Sequence, residues 1–241
     1  MSENALSQTV LIVSVLSGGA LWLLEGIVPF FQNRQGRLQH ALPNLAIALL
    51  NTALSSILMA GSLTALRYIY PYWQGLKALG IGDIPTSALI VLCYDFWMYL
   101  WHRLNHQLSF FWQFHRFHHA DAAMDVTTGF RFHPLEILLS ELIRLPVLAL
   151  LGMGATEILL YNLLSFPVIL LHHSNVALPA SLENALAYLI PTPNLHRVHH
   201  SVKKVEADMN YGSLLSLWDR LFGTLLRHNN PSTLQLGIIE K

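Results

Sequence analysis

The histidines of this chain are gathered by place. In "FWQFHRFHHADAAM", residues 110–123, His115, His118 and His119 fall within five positions. The same i, i+3, i+4 spacing recurs at His196, His199 and His200, and His102 with His106 forms a pair four apart. Of 13 histidines, only His40 precedes residue 102. Positions three and four apart share a helix face, so each triplet and the pair turn their imidazoles to one side. A lone histidine of this kind is ordinarily a helix cap or an interfacial side chain, but a repeated triplet reverses that reading. Imidazole suits iron, zinc, copper or nickel, and one ion with roughly four to six positions cannot use eight donors, so the number points to two metal ions. Binding needs the neutral ring, so acidification should release the metal.

Other metal chemistries find no support. There is no H-E-x-x-H, and none of the eight glutamates opens the Glu-x-x-His of soluble di-iron bundles. The single cysteine, Cys93, lies in an apolar run, which excludes an internal disulfide or thiolate cluster and reads as a small buried hydrophobe. Fourteen basic residues balance 14 acidic ones, so no global field favours nucleic acid, and none is expected as a partner.

The elements that must carry these histidines are membrane helices. The chain is 53% hydrophobic and only 12% charged, with a mean hydropathy of +0.43, values foreign to a water-soluble domain. Apolar runs near the length of about 20 residues that crosses a bilayer occur at 9–31, 43–66, 84–101, 134–153 and 156–173. The first lacks a preceding basic segment and a small-residue cleavage site, and Glu3 is acidic, so a retained helix is expected. Arg34 and Arg37 lie in the link after it, whereas "MSENALSQ" has no basic residue; the positive-inside bias places that link in the cytoplasm and the amino terminus outside. By alternation the third run returns to the cytoplasm at "YLWHRLNH". The fourth leaves just after His133 and the fifth comes back at His172 and His173, so three segment ends converge on the histidines. Glu141 and Arg144 in the fourth run are expensive in hydrocarbon and, three apart, could pair along one face; a shallow re-entrant hairpin is the alternative there. The fold expected is an all-α polytopic membrane bundle with a cytosolic helical histidine-box cap.

From about residue 90 to 227 the chain resembles the fatty acid hydroxylase and sterol desaturase superfamily of integral membrane proteins. The blocks that carry the resemblance are "HRLNH", "HRFHH", "FRFHPLE" at 130–136, "HHSNV" at 172–176, "PNLHRVHHS" at 193–201 and "NYGSLLSLWDRLFGT" at 210–224. It implies three parts: N-terminal transmembrane helices over 1–83, a fatty acid hydroxylase-like catalytic domain over 84–227, and a tail over 228–241. It also implies two metal ions, iron in the active enzymes, which activate dioxygen at the cytosolic face. Carried over position by position, the implied ligands are His102, His106, His115, His118, His119, His196, His199 and His200. A ninth is expected from the "HSN" block. His172 and His173 are adjacent and so about 100° apart on a helix, and the family pattern favours His173. His172, Asp95, Asn175, Asp208, Asn210 and Tyr211 are candidates to orient ligand nitrogens, and His133 is open between a helix cap and a contact with the site. His40 and His228 are left outside it.

The chemistry implied is oxidation of an unactivated C–H bond in a fatty acyl, sterol-like or ether lipid, by hydroxylation or desaturation, with O2 as co-substrate. Gly80 and Gly82 in "LGIGDIP" lack the third glycine of a dinucleotide fingerprint, so electrons are expected from a separate reductase or ferredoxin-like donor. Two other classes stand beside this one: a zinc-loaded membrane hydrolase or isomerase of lipids, because imidazole does not by itself choose iron, and a non-catalytic metal-binding membrane protein. A bacterial inner membrane is the expected location, since "GIIEK" holds no basic retrieval tail and no transit peptide is present.

Overall fold

The computed structural model describes residues 2–32 and 36–238; Arg34, part of the topology argument, lies outside them. Six longer helices make the body: α1 (Glu3–Ile27), α2 (Arg37–Ile69), α3 (Asp83–Gln107), α4 (Ser109–His119), α5 (Pro134–Leu151) and α6 (Ala155–His173). Four short ones follow: α7 (Ala180–Leu186), α8 (Pro193–His199), α9 (Lys204–Ala207) and α10 (Leu217–Leu221). Among the described residues the only β pairing is two isolated bridges, Pro29 with Val176 and Ser201 with Leu236. The protein is an all-α membrane bundle.

The boundaries have local causes. The Ser2 hydroxyl accepts from the Ala5 amide at 3.3 Å and opens α1. His133 caps α5 by accepting from the Leu135 amide at 3.1 Å, with Pro134 at the first helical position, where a missing N–H costs nothing. Gly152 ends α5 in the left-handed region, φ +71°, and a Cβ there would strike the Gln74 carbonyl, so no other residue lets these two segments meet.

α1 packs along α6 and α2 along α5, while α3 touches α4, α5 and α6. The main core joins Leu66, Ile90, Val91, Tyr94, Leu148, Met153, Ile158 and Tyr161. The outer faces of α1 and α2 remain bare and apolar: Leu16 and Leu23 are each 66% exposed and Leu49 75%. On helices of this length such faces are lipid-facing. At one end of the bundle Lys77 pairs with Glu157 at 3.1 Å. At the other, α1 and α6 are tied through Pro29 and Val176, and this is the end where the histidines lie.

Four helices, α1, α2, α3 and α6, are long and apolar enough to cross a membrane. The fourth apolar run, expected as a span, is not among them, because α5 carries Glu136, Glu141 and Arg144. The last two are paired with each other inside the bundle, where the Ser55 hydroxyl donates to Glu141 and Arg144 donates to the Tyr94 hydroxyl at 3.2 Å. α5 is therefore held by protein on its polar face. Removing one partner leaves a buried, uncompensated charge, so Arg144→Met should cost about 3–5 kcal/mol, and the double change with Glu141→Gln should recover much of it. Thermal unfolding in detergent measures both; equal stability of the single and double variants would contradict the pairing.

Candidate metal centre

Three chain features deliver the imidazoles. Leu108 alone separates α3 from α4, so the last turns of α3 fold directly against the histidine face of α4. The turn at 126–130 follows, fixed by Asp125, whose carboxylate accepts from the Thr127 amide while its own amide donates to the Thr128 hydroxyl. That turn brings Gly129 so close to α6 that a Cβ would sit 3.3 Å from His173 Nδ1. Finally, buried Arg197 locks α8 to the end of α6 by donating to the carbonyls of Ser174 (3.0 Å) and Val176 (2.9 Å).

The nine histidines expected as ligands fall into two groups. His102 and His106 of α3, His115 and His119 of α4 and His199 of α8 form one; His118, His173, His196 and His200 form the other. Within each, one ring nitrogen per residue lies within 4.8 Å of all the others. Each triplet is thus divided: i and i+4 of α4 serve the first group while i+3 serves the second, and in the second triplet only the middle residue, His199, serves the first. Both helices straddle the space between groups. The triplets, some 80 residues apart in sequence, meet ring to ring, with His119 and His200 stacked at 4.4 Å and His118 set edge-on to His200 at 4.7 Å.

The hydrogen bonds of the outer nitrogens decide what the inner ones are. His102 Nδ1 faces the Tyr211 carbonyl at 2.9 Å, His118 Nδ1 that of Arg131 at 3.2 Å, His173 Nδ1 that of Ile169 at 2.7 Å and His199 Nδ1 that of Met209 at 2.7 Å. A carbonyl only accepts, so each Nδ1 carries the proton, and in a neutral ring Nε2 is a bare lone pair. Burial foremost, then neighbouring imidazoles, holds His118, His119, His196, His199 and His200 well below the usual histidine range. The rings are therefore neutral near pH 7. Yet His102 Nε2 lies 2.9 Å from His199 Nε2, and His118 Nε2 3.1 Å from His173 Nε2. Two lone pairs at that distance repel each other, whereas two nitrogens bound at right angles to one ion at about 2.1 Å lie about 3.0 Å apart. Nε2 of His106, His115 and His119 and both nitrogens of His200 are buried without any hydrogen-bond partner, a costly state unless a cation accepts them. The donor set fits two nitrogen-loving metal ions.

The residues expected to orient ligands divide differently. Asp208 lies 3.4 Å from His106 Nδ1, and the Tyr211 backbone holds His102. The His172 ring lies 4.0 Å from the His196 ring, tilted against it, with its own Nδ1 unpartnered, beside the second group and outside it. Asp95 touches no histidine: it accepts from the amides of Leu214 and Leu215, from Trp218 Nε1 and from the Tyr161 hydroxyl. Its helical register with His102 misled, because seven residues of α3 carry it down into the bundle. Asn175 ties the α1–α2 link through Phe31, Asn210 braces the carbonyls of Leu195 and Leu226, and His133 caps α5 against Phe114. His40 lies outside both groups, between Asp121 and Asp125 at 2.9 and 2.8 Å.

One partner escaped the sequence. His115 Nδ1 donates to Glu136 at 2.7 Å, and Glu136 stands in the first turn of α5, just past the His133 cap, in the "FRFHPLE" block. Its place in a first turn hid it, since acidic residues there are common for helix-dipole reasons. Glu136→Gln should lower metal affinity or activity about 10- to 100-fold, read as metal retained after dialysis against a chelator; unchanged retention would leave Glu136 a capping residue only. The 228–238 segment also does not stand apart as a tail: Gly237 N donates to the His200 carbonyl at 3.1 Å and Val202 N to Gln235 O at 2.9 Å.

The family model for fatty acid hydroxylase matches residues 87–224. The chain is 32% identical over 180 residues to the ornithine lipid hydroxylase OlsE of Rhizobium tropici, covering 73% of this chain and 51% of that protein. It is 29% identical over 212 residues to alkylglycerol monooxygenase of Homo sapiens, covering 86% and 44% respectively. To the very-long-chain aldehyde decarbonylase GL1-1 of Oryza sativa subsp. indica it is 28% identical over 178 residues, covering 70% and 28%. The chain spans about half the length, or less, of these curated relatives. No solved structure matches significantly.

Proposed function

Because the chain belongs to the fatty acid hydroxylase family, we propose that it is a membrane-bound di-iron oxygenase that hydroxylates a C–H bond of a lipid. The observation that carries the reading is the pair of imidazole groups with lone pairs turned inward, set at one end of an apolar bundle. His102, His106, His115, His119 and His199 would hold one ion and His118, His173, His196 and His200 the other. Two irons so held would supply the oxidising power that converts R–H, O2, two electrons and two protons into R–OH and water. The chain's own contribution is positional. Carbonyls of Tyr211, Arg131, Ile169 and Met209 fix four rings in the metal-binding tautomer, and burial keeps competing protons off His119, His196 and His200.

The two electrons come, in this reading, from a separate reductase or ferredoxin-like donor. The relatives named as ornithine lipid hydroxylase and alkylglycerol monooxygenase support a lipid with a polar head group over a free sterol. Arg37, Arg103, Arg116 and Lys204 stand at the histidine end, which supports a cytoplasmic orientation of the site and C-terminus under the positive-inside bias, in a bacterial inner membrane. Elemental analysis of protein purified in mild detergent, followed by oxygen uptake with reductant and lipid extracts, tests the proposal. Two irons with lipid-dependent uptake are expected. Persistent stoichiometric zinc, with no uptake after iron reconstitution, would overturn it in favour of a redox-inert enzyme.

A further inference from the structure

The outer side of the C-terminal segment is apolar. Leu217 and Leu221, four apart in α10, are exposed together with Phe222. Tyr188 and Leu189 adjoin them, because the Ser216 amide donates to the Leu189 carbonyl at 3.1 Å and the Ser216 hydroxyl to that of Ala187 at 2.9 Å. Leu221 is 63% exposed, Leu189 64% and Tyr188 70%. Every exposed side chain in 180–190 and 214–222 is uncharged, and the two acids there, Glu183 and Asp219, are buried. The cations at the edge, Arg220 and Arg227, lean on the Tyr188 ring at 4.7 and 5.6 Å, an arrangement suited to a head-group boundary.

Depth and backbone identify what covers this face. Trp218 and Phe222 pack on Phe96 of α3, with ring centroids 5.0 and 5.5 Å away. Phe96 lies inside the apolar run 84–101, five residues from its end, or about 8 Å along the helix. α10 therefore stands beside a membrane-crossing helix, on the bilayer side of His102. The amides of the irregular stretch at 211–216 are held by two buried carboxylates: Asp219 accepts from Tyr211 and Gly212 at 2.8 Å each, and Asp95 from Leu214 and Leu215 at 3.2 Å each. Water would satisfy such a loop in the cytosol, whereas in hydrocarbon non-helical backbone needs partners from the protein itself. We propose that Tyr188, Leu189, Leu217, Leu221 and Phe222 form a monotopic seat sunk into the hydrocarbon of the leaflet at the histidine end, continuous with the lipid-facing surface of the spanning helices. On the lipid-oxygenase reading, the seat lets an acyl chain reach the histidines without leaving its leaflet; that consequence rests on the reading, and the seat itself does not.

Single nitroxide labels at Leu189→Cys and Leu221→Cys test it, in a Cys93→Ala background because Cys93 is the only cysteine. The metal-bearing protein is placed in vesicles of phosphatidylcholine and phosphatidylglycerol. Leu16→Cys, on the outer face of α1, gives the lipid reference, and Gln113→Cys, exposed on α4, gives the water reference. Oxygen enters hydrocarbon and a nickel chelate does not, so the ratio of oxygen to chelate accessibility at both labels should approach that of Leu16 and exceed that of Gln113 at least about tenfold. Labels as open to the chelate as the one at Gln113 overturn the proposal in favour of a water-facing surface left for a soluble partner. Labels shielded from both reagents overturn it in favour of a second copy of the chain. Metal content and lipid oxidation enter neither outcome, so failure of the oxygenase reading and failure of the seat are told apart.

Discussion

Changing His199 to alanine is expected to empty the five-histidine group and reduce lipid oxidation at least about 100-fold, while the protein still accumulates in the membrane. His199 Nε2 meets His102 Nε2 at 2.9 Å, and its Nδ1 is committed to the Met209 carbonyl, so no neighbouring ring can take over its lone pair. His118→Ala should do the same to the other group, because His118 alone links α4 to His173, at 3.1 Å. Losing a residue that merely orients a ligand costs about 10- to 100-fold, and a ligand more. Membrane insertion should be unaffected, since α1, α2, α3 and α6 supply the apolar length and neither residue lies on them. Metal content by elemental analysis, product formation and the elution profile in detergent together decide the matter. Full metal content and normal turnover in both variants would refute the ligand assignment.

The second large effect is expected at a residue that touches no histidine. Asp95→Ala strips the acceptor from four donors: the Leu214 and Leu215 amides, at 3.2 Å each, Trp218 Nε1 at 2.8 Å and the Tyr161 hydroxyl at 3.1 Å. Asp95 is fully buried, and each orphaned donor costs about 1–3 kcal/mol, so the total is about 4 kcal/mol or more against a stability of about 5–15 kcal/mol. The damage should also travel. The 214–218 stretch continues from Tyr211, whose carbonyl holds His102 and whose amide, with that of Gly212, is held by Asp219 at 2.8 Å. Asp95→Asn keeps one acceptor oxygen but turns an amide toward donors, so an intermediate loss of about 2 kcal/mol is expected. Thermal unfolding should rank wild type, asparagine and alanine in that order, with metal retention falling in parallel. An alanine variant as stable as wild type and fully metallated would contradict this anchoring role.

The histidines were legible in the sequence because metal chemistry constrains both type and spacing: few side chains bind such ions, and a helix can aim several at once only at intervals of three or four. What lay beyond reach follows from the same periodicity. A register says which side a residue faces, not how far down the helix its neighbour ends, so Asp95 read as a ligand's partner and serves instead as an anchor for the 214–218 loop. Backbone carbonyls carry no sequence signal at all, and four of them set the tautomers. Glu136 was visible as a residue but not as a partner, since only the fold of α5 against α4 brings it to His115.

By itself, then, the sequence determined an apolar all-α bundle and an imidazole-rich end, because hydropathy and helical spacing are local properties written in composition. Only the tertiary structure decided that "HRFHH" is divided, His115 and His119 to one group and His118 to the other. Adjacent helical positions differ by about 100°, and His115 and His119 meet His102 and His106 of α3 whereas His118 meets His173 of α6. It also decided that α5 rests against protein with its ion pair enclosed, since the cost of a charge in hydrocarbon depends on the partner beside it.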